Sequence, residues 1–291
     1  VPPGSDEVLL EVAFASVNPL DIWVSQGDVG AAASQLPWIP GTEATGFVEG
    51  RPVLVRGDGL GVSRPGLACE FALAPAATAL PVPDDLDLAL VAALGTAGVT
   101  AWNAVHTKAQ VGAGDRVVVL GASGGVGTVA CQLARAAGAT VWGQTGSAAK
   151  AATVLGAHEV VVARTPDELQ AALVDVRPTV VLDALGGGYT VASIESLAQG
   201  GRLAVYGTSA EEHATFNVRT IYRKGLTIYG YANIVEPVAR QHAVLNQLFG
   251  ALRDGSLVVP HEIVPLSDAA TAHQRLLDRS VPGKLVIDCR G

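Results

Sequence analysis

Residues 117–127 read VVVLGASGGVG. Four apolar residues, most of them β-branched, suit a strand buried on both faces, as in a parallel sheet. The glycines after them let the chain turn sharply and bring backbone N–H groups against a pyrophosphate at the start of the next helix. The implied ligand is a dinucleotide. In the G-x-G-x-x-G register Ala122 takes the first glycine's place, Gly124 allows close approach of a phosphate, and Gly127 allows close packing of helix on strand; Ser123, Gly125 and Val126 complete the cofactor-binding turn. A glycine string is weak evidence in a chain with 34 glycines, and its surroundings strengthen it. Residues 128–137 (TVACQLARAA) have helical apolar spacing, stop at Gly138 and feed a second strand at 139–142, which completes a βαβ unit.

The same rhythm continues outward. Strands are expected at 117–120, 140–142, 160–162, 180–183, 203–206 and 226–230 with helices between them, six strands in a doubly wound parallel sheet. Upstream, 7–17 is strand-like, and the region up to about Pro83 is rich in Gly, Pro and short β-branched runs such as 53–55, a β-rich and loop-heavy module. Residues 86–93 and 99–105 look helical. After Tyr231 a helix (236–253), a short strand near Ile263, a second helix (268–279) and a terminal strand (284–288) are expected. There is no internal repeat and no low-complexity tract.

Composition narrows the function. Of 291 residues 49% are apolar and 16% charged, which supplies a core and argues against disorder. The net charge is −8, with 19 basic residues spread among 27 acidic ones, a poor match to a phosphate backbone and so to nucleic acid. No apolar run is expected to reach the roughly eighteen residues of a membrane span, and the N-terminus lacks a signal-peptide pattern, so a cytoplasmic protein is expected. Cys69, Cys131 and Cys289 are odd in number and widely separated, which suits reduced thiols and offers neither a disulfide framework nor a C-x-x-C clip. There is no methionine; the expectation is that the sequence lacks an N-terminal piece or its methionine positions, and that spacings hold to within about one position.

Several motifs follow one another in order: VNPLD (17–21), PGTEATG (40–46), GTAGVTAW (95–102), GAGDRVVVLGASGGVG (112–127), KAATVLGA (150–157), VLDALGG (181–187) and GKLVI (283–287). Together they resemble the medium-chain dehydrogenase/reductase superfamily and, within it, the zinc-independent quinone oxidoreductases. The resemblance covers nearly the whole chain. It implies an α/β architecture: a Rossmann domain, residues 88–233, inserted into a β-rich GroES-like catalytic domain built from 1–87 and 234–291. The chain starts where the family already has a leading hairpin, and residues 49–61 are a shorter stretch than the family's.

The resemblance also implies the chemistry. Alcohol dehydrogenases of the superfamily bind catalytic zinc through a Cys, a His of a G-H-E motif and a later Cys; the matching positions here hold Asn18, Thr42 and approximately Gly95, none of which offers a thiolate or imidazole. No metal is expected, and the six histidines are scattered without ligand spacing. An NAD-selective site puts Asp or Glu about twenty residues past the glycine turn; this chain has Gly143, Gln144, Thr145, Gly146 and Ser147 there. With no carboxylate to repel it, a 2′-phosphate fits. Lys150 matches the family's phosphate-binding lysine, and Arg164 falls where the family often has a phosphate-contacting Tyr. Together with Thr145 and Ser147 they favour NADPH, although each alone is equally readable as a surface residue.

Without metal, hydride passes from the nicotinamide to a carbon conjugated to a carbonyl, so a quinone or an activated C=C (enone) is the implied substrate. Asn18 is implied as the amide aimed at the substrate carbonyl or nicotinamide ribose, with an Asx-type turn before Pro19 as the alternative. Asp21 either orients that loop or caps a helix, and Thr96 and Thr100 either touch the nicotinamide or cap one. Gly207 and Thr208 end the fifth strand, and Tyr231 and Asn233 follow the sixth, at the edge where doubly wound sheets bind cofactor. Trp23 and Trp38 are candidates for a flat wall against a ring, or for core packing. The strand LTIYGY (226–231) is expected at an open sheet edge, joining two chains as a homodimer. An enoyl-thioester reductase of secondary metabolism and a non-catalytic NADP(H)-binding sensor are the other readings compatible with the turn.

Overall fold

The computed structural model describes residues 2–29 and 36–290. The chain divides into two compact units, Val1–Val99 with Ile234–Gly291, and Thr100–Asn233. The first boundary thus falls inside a helix rather than ahead of it at residue 88.

The first unit is β-rich. Strand β1 (Glu7–Ser16) leads into helix α1 (Pro19–Gln26), which Pro19 opens because a proline at the first helical position loses no intrahelical bond. Strands β2 (Glu43–Val48) and β3 (Arg51–Arg56) form a hairpin whose two loop residues, Glu49 (φ 50°) and Gly50 (φ 76°), both adopt the left-handed region that a right-twisted two-residue hairpin requires. Strands β4 (Phe71–Pro75) and β5 (Ala79–Pro81) and the start of helix α2 (Leu88–Trp102) complete the first segment.

One continuous α2 replaces the two helices expected at 86–93 and 99–105. Gly95 and Gly98 would break it only if their flexibility were free. Instead a Cβ on Gly95 would stand 2.1 Å from Glu43 Oε2, and one on Gly98 would stand 2.7 Å from Leu94 Cδ1 and 2.8 Å from Leu248 Cδ1. Both glycines are there for close packing. The helix runs on as a π-helical segment, Asn103–Lys108. The stretch Leu88–Lys108 is long and apolar enough to cross a membrane by length and composition, which corrects the expectation that no run approaches that length; most of it is buried inside the protein, as in the core helix of a globular fold.

The second unit holds strands β6 (Arg116–Val119), β7 (Thr140–Thr145), β8 (Glu159–Val162), β9 (Val180–Asp183), β10 (Arg202–Val205) and β11 (Thr227–Gly230). Helices α3 (Gly125–Ala136), α4 (Ala148–Ala151), α5 (Pro166–Leu173), α6 (Gly187–Ser196) and α7 (Val218–Lys224) connect them. The strand order is β11-β10-β9-β6-β7-β8, with every neighbouring pair parallel. The chain winds outward from β6 to β8, then crosses back to β9 and outward again, so the winding reverses between β6 and β9. Val118, Leu120, Val181 and Leu203 pack the core with Leu169 of α5 and Ile194 of α6, all fully buried.

The chain then returns to the first unit through α8 (Val238–Arg253), β12 (His261–Pro265), α9 (Ala269–Leu277) and β13 (Lys284–Asp288). Its sheet runs β12-β13-β1-β2-β3-β5, with β4 also paired to β1. Leu10, Val12, Val55, Leu67, Leu285 and Ile287 form its core. Alternation of side chains puts Leu10 and Val12 on one face, as period-2 geometry demands.

Candidate active site

All six strands of the second unit are parallel, so their carboxyl ends open on one edge, and the glycine turn lies there. Gly121 (φ 66°) makes the left-handed turn after β6. Ala122, which follows in the first glycine's place, is buried and its N–H donates to the Gln144 carbonyl at 2.8 Å. A Cβ on Gly127 would lie 2.3 Å from the Gly121 carbonyl oxygen, so this glycine lets α3 pack against the turn. A Cβ on Gly124, at the N-cap of α3, would meet only that oxygen, at 3.3 Å. Space is therefore left beside Gly124, at a helix end whose first N–H groups have no partner within the helix.

Ser123 Oγ lies 3.3 Å from Thr145 Oγ1 and ties the turn to the end of β7. Gln144 braces the turn with both ends of its amide. Its Oε1 accepts from Gly121 N at 2.9 Å and its Nε2 donates to the Ala163 carbonyl at 2.7 Å. A carboxylate could not make the second bond, which gives a physical reason for an amide at this position. Arg164, exposed, donates from Nε to the Gly146 carbonyl at 3.2 Å. That contact places Arg164 beside Ser147, the N-cap of α4, with Lys150 one turn on. Gly207 closes against β9, since a Cβ there would lie 2.9 Å from the Ala184 carbonyl oxygen. Thr208 follows, exposed. Tyr231, 9% exposed, holds its hydroxyl at 3.1 Å from the donating Asn103 Nδ2, and Thr100 is buried in α2.

Sequence reasoning passed over Asp183 at the end of β9. Its carboxyl accepts from the N–H groups of Leu185 (2.8 Å) and Gly186 (3.1 Å) and from Thr190 Oγ1 (2.5 Å), and shapes the β9–α6 turn. Burial raises its pKa against those hydrogen bonds. The VLDALGG motif contained the signal.

The first unit contains a second cluster, almost wholly buried. Asn18, expected to aim its amide at a substrate, has both ends of that amide engaged: Oδ1 accepts from Lys284 Nζ at 2.6 Å and Nδ2 donates to Glu43 Oε1 at 2.9 Å. Lys284 also donates to the Val17 carbonyl at 2.9 Å. Glu43, fully buried, receives the Thr96 hydroxyl at 2.9 Å and Arg56 Nε at 3.4 Å. Arg56 donates further to Gln241 Oε1 and, at 3.2 Å, to Thr96 Oγ1. Thr96, assigned from sequence to the cofactor, thus spends its hydroxyl and its backbone N–H on Glu43 within this unit.

Asp21 organises the same region. One carboxyl oxygen accepts from Asn18 N at 2.7 Å and the other from Thr42 N at 3.0 Å. Burial pushes its pKa up to about 6, opposed by the hydrogen bond from Asn18 and by His273 and Lys284. Burial likewise pushes the Lys284 ammonium down, opposed by Glu43 and Asp21. Glu43 and Lys284 lie within the PGTEATG and GKLVI motifs and Arg56 and Gln241 in none, and all four went unassigned because their partners come from distant segments; β2, β3, α8 and β13 bring them together. Trp23 on α1 and Trp38 are both partly exposed, and the buried Trp38 Nε1 has no hydrogen-bond partner among the described residues.

A catalytic zinc does not fit these donors. Asn18 and Thr42 lie together (Nδ2 to Oγ1 3.5 Å) but offer an amide and a hydroxyl, and Gly95 offers nothing. Glu43 beside them is already neutralised by Arg56 and, at 4.0 Å, Lys284. Among the described residues no group of three or more His, Cys, Asp or Glu could hold a metal ion.

A six-stranded doubly wound sheet with this glycine turn, on a chain whose two ends build a separate β-rich unit, defines a nucleotide-dependent oxidoreductase fold. Sequence profiles agree: residues 4–54 match "Alcohol dehydrogenase GroES-like domain" and 125–247 match "Zinc-binding dehydrogenase". Rat quinone oxidoreductase is 32% identical over 308 residues, covering 98% of this chain and 90% of that protein. A mycocerosic acid synthase-like polyketide synthase of Mycobacterium tuberculosis is 30% identical over 302 residues, covering 99% of this chain and 14% of that protein. The solved structure of a mycobacterial protein complexed with NADPH superimposes with TM-score 0.87 at 25% identity, over 99% of this chain and 92% of that one. The chain belongs to the medium-chain dehydrogenase/reductase superfamily and is quinone oxidoreductase-like.

Proposed function

We propose that this protein is an NADPH-dependent reductase that delivers hydride, without a metal, to a quinone or to a C=C conjugated to a carbonyl. The observation that carries the cofactor choice is the β7–α4 turn. It has no carboxylate from Gly143 to Ser147, its Gln144 is committed to Gly121 and Ala163, and Arg164 is drawn onto Gly146 beside Ser147 and Lys150. A 2′-phosphate suits that turn, and the likeness to a structure complexed with NADPH supports the reading.

The nicotinamide supplies the hydride when bound. Gly124 makes room for the pyrophosphate at the start of α3, while Gly207 and Thr208 border the same sheet edge. The donors available at Asn18, Thr42 and Gly95 support a metal-free site. Such a site works by positioning, and the enolate or quinol formed takes its proton from water or a weak donor. The quinone substrate rests on the quinone oxidoreductase relatives. The match to a segment of a polyketide synthase favours a second reading, reduction of an enoyl thioester by the same hydride chemistry. We further propose that the protein is a homodimer joined through β11.

Steady-state assays with NADPH and NADH against a panel of quinones, enones and enoyl thioesters test the substrate and separate a catalyst from a cofactor-binding sensor. Elemental analysis is expected to find no stoichiometric zinc, and one tightly held zinc per chain would overturn the metal-free reading. Lys150→Ala is expected to cost about 1.5–3 kcal/mol in NADPH affinity and to leave NADH binding unchanged. Equal calorimetric affinities of the wild type for the two cofactors would count against the 2′-phosphate site.

A further inference from the structure

Two cysteines far apart in sequence meet at one stretch of β1. A strand has two edges, and β2 occupies one edge of β1 from Glu11 to Ala15. Strand β4 therefore lies on the other edge, antiparallel, with Phe71 opposite Glu11. Strand β13 lies on that same edge, also antiparallel, with Asp288 opposite Phe14. The registers then run toward each other. Val12 N donates to the Glu70 carbonyl at 2.9 Å and Cys289 N donates to the Ala13 carbonyl at 2.9 Å. Cys289 thus stands against Ala13, and Cys69, the residue before Glu70, approaches the same stretch of β1 from the other side along that edge. Cys69 is accordingly near enough to the Cys289 thiol to act on it electrostatically. Both thiols are free; Cys69 is partly exposed and Cys289 fully buried.

We propose that Cys69 and Cys289 form a redox-sensitive dithiol which a hydroperoxide closes into a disulfide. The Cys69 thiolate attacks the terminal peroxide oxygen. The O–O bond breaks, the alcohol leaves with a proton, and Cys69 becomes a sulfenic acid. The Cys289 thiolate then attacks the Cys69 sulfur, and the hydroxide expelled leaves as water with the Cys289 proton. Two thiols lose two electrons, and the peroxide is reduced to alcohol and water. A reducing dithiol reverses the bond by exchange. Burial raises the pKa of both thiols, that of Cys289 to about 12, so closure is slow at neutral pH and quickens as pH rises. The bond would tie the end of β13, the strand that carries Lys284, to the entry of β4.

The test treats the whole protein with hydrogen peroxide, then titrates thiols in denaturant and maps peptides without reduction. Of the three cysteines two are expected to disappear. The mass should fall by two hydrogens, a digest should contain one linked pair holding Cys69 and Cys289, and Cys131 should stay alkylatable. In Cys289→Ser no link forms and Cys69 gains oxygen instead. In Cys69→Ser, at the more exposed position, both remaining thiols survive, which keeps the test open if the buried substitution fails to fold. Three intact thiols in the treated wild type, oxygen adducts at Cys69 without a link, or links only between chains would overturn the proposal.

Discussion

Lys284 Nζ, on the last strand of the chain, donates to Asn18 Oδ1 at 2.6 Å, and that bond orients an amide whose other end donates to Glu43. Lys284→Met removes the donor from Asn18 and from the Val17 carbonyl and takes a cation from beside Glu43. The expected loss is about 3–5 kcal/mol, because partners are left buried and unpaired. Urea unfolding measures it. A loss below about 1 kcal/mol would mean that the cluster behaves like a solvated surface pair.

Asp21 titrates at about 6 in the folded protein against an ordinary value of 3.8. A carboxyl with a raised folded pKa holds its proton in the native state after the unfolded chain has lost it. Its contribution is therefore most favourable below the unfolded value and is lost as pH rises from about 4 to about 6, by about 3 kcal/mol in all. Asp21→Asn should flatten that segment of the stability–pH curve. The substitution carries its own pH-independent cost, since one amide oxygen replaces two carboxylate oxygens that accept from Asn18 and Thr42. Denaturant midpoints measured from pH 4 to 7 separate the two effects; an unchanged slope would show that Asp21 does not titrate there.

Gly124 and Gly127 should fail differently. Gly124→Val is expected to fold and to lose cofactor binding, because its side chain enters the space at the start of α3 where a phosphate would sit. Gly127→Ala is expected to lower stability with or without cofactor, by about 1–3 kcal/mol, because its Cβ meets the backbone of Gly121 and Ala122. Circular dichroism and cofactor titration on both variants read the contrast. An unfolded Gly124→Val would make that glycine a packing residue as well.

Strand β11 ends its sheet, with Ile228 40% exposed and Thr227 and Gly230 also exposed. Unpaired backbone on such an edge invites a second chain, and two-fold pairing of β11 with its twin closes it. Light scattering is expected to return the mass of two chains. Ile228→Lys should shift it toward one, since a charge on an edge strand opposes pairing. A wild-type mass of one chain at working concentration would remove the basis for this prediction.

Much of the second unit was legible. Its central strands are apolar, mostly β-branched runs, Val117–Val119 and Val180–Leu182, because the middle of a parallel sheet is buried on both faces, and its helices carry the 3.6-residue period. Observed strand ends differ from the expected ones by at most three residues, and Val180–Asp183 coincides with its expectation. The reading failed where a residue's reason lay in another segment. Gly95 and Gly98 lie between the two expected helices, and only Glu43 and Leu248, brought against them by the fold, show that they serve close packing.

The sequence by itself determined the class of fold, the edge of the sheet that carries the glycine turn, and the absence of a carboxylate after β7, since each is written in residues close together along the chain. Tertiary structure decided what Asn18, Thr96 and the cysteines do. Asn18 meets Lys284, Thr96 meets Glu43, and Cys69 meets Cys289 only through the registers and packing of strands that are distant in sequence. Local spacing has a period and can be read. A contact between distant strands depends on which edges pair and in what register, and the burial of both faces decides that only once the chain has folded.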